Sequence, residues 1–97
     1  MQSSIRNQIE RLVLRSLYPQ ATSGKIKRLH DLCKQKGIGI IAIPQHVEAV
    51  EYVMISIIRH ESTQYESALR SGCSKESARG IIAPIIRSEM KKMKGEI

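Results

Sequence analysis

The sequence predicts an all-α fold, one compact domain of about five helices. Apolar residues recur at three- and four-residue spacing through most of the chain. Glycine and proline stand between the periodic segments, at Pro19, Gly37, Pro44 and Gly72. The one β-branched run, residues 37–43, has no second such run to pair with, and a lone strand leaves its backbone groups unsatisfied.

Helix one is expected over about Ser4–Leu17, behind a Ser3-Ser4 cap, with Ile5, Ile9, Leu12, Val13 and Leu17 as its apolar face. Pro19 ends it, because proline disfavours helical backbone in the preceding residue. Helix two follows the Thr22-Ser23 cap, runs about Gly24–Lys36 with Ile26, Leu29, Leu32 and Cys33 on one face, and stops at Gly37. Residues 37–43 read as an apolar crossover loop packed on the core, and Pro44 opens helix three. Between Gln45 and Glu61, Val47, Val50, Val53, Met54, Ile57 and Ile58 cover an arc wider than a surface helix needs, which places this helix centrally. Thr63-Gln-Tyr-Glu66 has capping-box spacing and opens a short fourth helix that ends by Gly72. Ser74 caps a fifth, with Ala78, Ile81, Ile82, Ile85, Ile86 and Met93 facing one way and a kink expected before Pro84.

The length of 97 residues fits one domain, since chains usually divide beyond about 250 residues, and 41% hydrophobic content is too high for a disordered chain. No apolar run reaches the ~20 residues of a membrane span, and the first residues lack the basic start and apolar block of a secretory signal, so a cytoplasmic protein is expected. Cys33 and Cys73 form no CxxC, and His30, His46 and His60 are scattered; neither a disulfide, a metal site nor a cofactor is expected.

The formal charge is +7, which favours polyanionic partners whatever the fold. Residues 1–36 hold eight basic and two acidic side chains, residues 37–66 one and four, and residues 67–97 seven and three. Arg87, Lys91 and Lys94 fall at i, i+4 and i+7 on helix five and read as a basic stripe; Lys25, Lys27, Arg28 and Lys34 form a second cluster on helix two. Ala68-x3-Gly72-Cys73-x4-Ala78-x2-Ile81 has helix-turn-helix spacing, in which Lys75 and Arg79 project from the first turns of the second helix toward bases or phosphates. A plain helical hairpin gives the same matches.

Arg59-His60-x2-Thr63-x-Tyr65-Glu66-x2-Leu69-x2-Gly72-x2-Lys75-x2-Ala78-Arg79, with Leu17-Tyr18-Pro19 upstream, resembles the family called domain of unknown function 2293 over about residues 12–92. The sequence departs from that pattern at Ala68 and Lys75, where leucine and arginine are expected, and in the arginine-free loop 37–43. The resemblance implies the domain's extent and carries over no activity. Its residues Arg59, His60, Thr63 and Tyr65 form a candidate polar site at the joint of helices three and four, with a structural role favoured: Thr63 as a cap, Tyr65 as a buried ring, Arg59 and His60 closing the last carbonyls of helix three.

The leading reading is a basic all-α protein that binds duplex nucleic acid through helices two and five. The alternative is a homo-oligomeric or adaptor domain using the apolar residues Ile38–Ile43. A small enzyme at the Arg59/His60/Thr63/Tyr65 joint comes third, since no spacing places a nucleophile beside a base and an orienting carboxylate.

Overall fold

The computed structural model describes residues 2–40, 44–61 and 63–96, and its regular elements there are α1 (Gln2–Leu17), α2 (Ser23–Gln35), α3 (Pro44–Glu61), α4 (Tyr65–Arg70) and α5 (Lys75–Lys94). Two helix starts are capped as the sequence predicts. The Thr22 hydroxyl accepts from the Lys25 amide at 3.2 Å and the Ser74 hydroxyl from the Ser77 amide at 3.1 Å. Three helix ends close by one device. Gly37, Gly72 and Gly95 have φ of 70°, 97° and 75°, and the residue after each donates its amide five residues back, to the carbonyls of Cys33, Ala68 and Lys91.

α3 is the central element: it packs against α2, α5 and α4, while α1 lies on α2. Its Val50, Val53, Met54, Ile57 and Ile58 are buried with Leu14, Tyr18, Leu29, Cys33, Met90 and Met93 in the main core. Side chains of this size stabilise by roughly 1.5–3 kcal/mol each when fully buried. A smaller cluster joins Tyr65, Ala78 and Ile82 with Ala68 and Leu69 under the α4–α5 joint, and Ile86 touches both clusters. The far end of α5 is held by the chain's first turn: the Gln20 amide donates to the Met93 carbonyl at 2.9 Å, a group the helix itself leaves unpaired.

Four details of the sequence reading change. α1 starts at Gln2, ahead of the serines expected to cap it, and buries Leu14 while Ile5, Ile9 and Leu12 face out. α5 shifts its buried face: Ala78, Ile82 and Met93 point inward as expected and Met90 joins them, while Ile81 and Ile85 are exposed. The capping box at Thr63 does not form. The Thr63 hydroxyl donates to the Arg59 carbonyl and accepts from the Tyr65 amide, and the Glu66 carboxylate goes to His60 instead. Of the crossover loop, Ile40 is buried and Ile38 is half-buried against the core, and residues 41–43 lie outside the described residues. No helix among the described residues is long and apolar enough to cross a membrane.

Candidate nucleic-acid interface

The α4–α5 joint is built from the small core beneath it. Ala78 and Ile82 sit on Tyr65 and Leu69, so α4 crosses the start of α5 through small and apolar side chains, and Gly72 supplies the left-handed turn between them. Ile82 takes the seat that the motif spacing assigns to Ile81. The rest of the joint is open: every residue from Arg70 to Ser77 is exposed. Lys75 and Arg79 on α5 are exposed and have no carboxylate partner among the described residues, and the same holds for Arg70 across the turn. Glu76 is the acidic residue of that first turn.

Further along α5 the three members of the basic stripe part company. Arg87 and Lys91 are exposed and have no carboxylate partner among the described residues, whereas Lys94 Nζ lies 2.9 Å from Glu51 Oε1 on α3 and belongs to the packing of the two helices. The helix-two cluster is largely neutralised. Arg28 Nε is 2.9 Å from Glu61 Oε2, tying α2 to the end of α3, and Lys34 Nζ is 3.6 Å from Glu10 Oε1 on α1. Of that cluster Lys27, on the face toward α1, has no carboxylate partner among the described residues.

The residues of the α3–α4 joint do come together, around one ring. The His60 ring meets Tyr65 edge to face at 5.5 Å between centroids, and the Arg59 guanidinium lies 5.7 Å from the Tyr65 centroid. His60 Nδ1 is 3.0 Å from Glu66 Oε1, across the turn that Thr63 fastens. Thr63, His60 and Glu66 fasten α3 to α4 around the buried Tyr65, while Arg59 Nε is buried without a hydrogen-bond partner.

Sequence reasoning missed a second polar cluster. His30, 2% exposed on the inner face of α2, directs Nε2 to Glu10 Oε1 at 3.0 Å, and Lys34 and Arg6 approach the same carboxylate. Burial alone would raise the Glu10 carboxyl, but the His30 hydrogen bond and the charges of Lys34, His30 and Arg6 hold it below its ordinary value. The signal available was Glu10 itself, a carboxylate four residues before Leu14 on what proves to be the inward side of α1. No group of three or more metal-ligating side chains occurs among the described residues.

No curated protein and no solved structure matches this chain. A family model described as Uncharacterized conserved protein (DUF2293) matches residues 13–93, from the C-terminal end of α1 to the last turn of α5. That span contains the Tyr65-centred joint, the Gly72 turn and the basic residues of α5, and it places the chain in the DUF2293 family.

Proposed function

We propose that the protein binds duplex nucleic acid, chiefly through phosphate contacts, with the first turns of α5 and the Gly72 turn as the contacting element. One observation carries the proposal. Lys75 and Arg79 stand exposed on an uncovered helix start with no carboxylate partner among the described residues, while Arg28, Lys34 and Lys94 are each tied to a carboxylate. A major groove about 12 Å wide admits a helix whose leading face is unobstructed, which is the condition α5 meets. Arg87 and Lys91, one turn apart, extend the positive surface along the same helix.

The aromatic inventory favours duplex over single strands. Tyr18 and Tyr65 are buried and Tyr52 alone is exposed, too little for a base-stacking platform. A cytoplasmic location belongs to the same proposal, since both cysteines are unpaired thiols of the kind kept in reducing compartments. The test is a titration against a fluorescent duplex over a range of salt. Phosphate contacts release counterions, so affinity should fall steeply and linearly on a log–log plot, with a slope of about −0.9 per phosphate neutralised. Binding that ignores salt, or no binding at low salt, rejects the proposal.

Self-association is a second reading, drawn from the exposed pair Ile81 and Ile85 on α5. Sedimentation separates the two: a dimer that dissociates in Ile81→Glu would favour this reading.

A further inference from the structure

α1 makes an unusual choice of face. It turns Asn7 and Glu10 partly inward, leaving Asn7 Oδ1 buried without a hydrogen-bond partner, and sends Ile5, Ile9 and Leu12 outward at 60%, 56% and 68% exposure. These three recur at i, i+4 and i+7 and so form one stripe. The stripe runs through Leu12 into a groove between α1 and α2 of about 630 Å³, floored by Ile26 and walled by the stem of Arg15. The Arg15 guanidinium is spent on the carbonyls of Pro19 and Ala21, which fixes that wall. The rim carries Arg11 on α1 and Lys27 on α2, both exposed and without a carboxylate partner among the described residues, and no acidic side chain lines the groove.

From this we infer a protein-docking site whose occupant is an amphipathic helix with an apolar stripe flanked by Asp and Glu. An apolar floor with cations on both rims selects that chemistry: leucine-like side chains fill the groove while carboxylates meet Arg11 and Lys27. A second copy of this chain laid face to face would oppose Arg11 and Lys27 with themselves, and polyanionic nucleic acid has no use for the apolar floor. The site is separate from the α4–α5 joint and stands independently of nucleic-acid binding.

The experiment uses two synthetic helical peptides with the same leucine stripe, one flanked by Glu and one by Lys, titrated into the full chain by fluorescence anisotropy. The Glu peptide should bind at least tenfold more tightly. Leu12→Asp combined with Ile9→Asp should weaken it at least tenfold with the helical circular dichroism unchanged, and Arg11→Glu with Lys27→Glu should invert the peptide preference. Lys75→Glu with Arg79→Glu should leave it as it was, which separates the groove from the general positive charge. Equal or absent binding of the two peptides overturns the inference, as does a preference that survives the groove variants or a dimer that Leu12→Asp dissociates.

Discussion

Lys94 Nζ and Glu51 Oε1 stand 2.9 Å apart, and this contact sorts the basic residues of α5 into those that hold the fold and those that face solvent. Both side chains are about one-third exposed, so the pair contributes no more than about 1 kcal/mol. Lys94→Glu sets two carboxylates against each other and should lower the melting temperature by a few degrees. Arg87→Glu and Lys91→Glu should leave it unchanged and should weaken nucleic-acid binding. Thermal melts of the three single variants check this.

The Glu10–His30 pair predicts an acid-sensitive α1–α2 contact. A carboxyl held below its ordinary value stabilises the fold above its unfolded-state pKa, and that stabilisation is lost as the pH falls through the folded-state value. Glu10→Gln keeps an oxygen for His30 Nε2 but removes the charge that Lys34 and Arg6 meet, and should therefore cost about 1 kcal/mol at neutral pH. Its deficit against wild type should shrink in urea denaturation as the pH falls from neutral through the ordinary carboxylate value of 4.5 and below. A deficit constant across that range would contradict the assignment.

The two thiols should react on different terms. Burial, with a smaller contribution from the Glu10 charge, pushes Cys33 up to about 11, whereas Cys73 is exposed beside the Gly72 turn. A maleimide at neutral pH should label Cys73 at once and Cys33 only on unfolding. Mass spectrometry of a timed reaction reads both.

Thr63 is a turn clamp, bonded to the Arg59 carbonyl and the Tyr65 amide. Thr63→Ala should cost about 1 kcal/mol, as for a lost cap, while Thr63→Ser keeps both hydrogen bonds and should recover most of it. Equal melting temperatures for wild type and Thr63→Ala would show that the clamp does not stabilise the joint.

All five helices were legible in the sequence, and the ends marked by Thr22, Gly37, Gly72 and Ser74 were legible almost to the residue, because caps and left-handed turns are local chemistry. Which face each helix buries was harder. α1 carries two apolar stripes, and of the five residues expected on its buried face Val13 and Leu17 pack on the core beside Leu14 while Ile5, Ile9 and Leu12 face out, a choice that periodicity alone does not make. On α5, neighbouring isoleucines at 81, 82, 85 and 86 allow more than one rotation about the helix axis. Charge pairing between distant helices was not legible at all. Nothing local to Arg28 announces Glu61, or to Lys94 announces Glu51, so the free cations of the candidate interface emerge only once the packing is known.

The most direct test of the nucleic-acid reading compares wild type with Lys75→Glu/Arg79→Glu in an anisotropy titration against a fluorescent DNA duplex at low salt. These residues are exposed and have no carboxylate partner among the described residues, so the variant should keep its melting temperature and helical circular dichroism. We expect it to lose at least tenfold in affinity and to show a shallower salt dependence, by about two fewer phosphate contacts. A variant that binds the duplex as tightly as wild type, with the same salt slope, would contradict the assignment of the α4–α5 joint as the nucleic-acid interface.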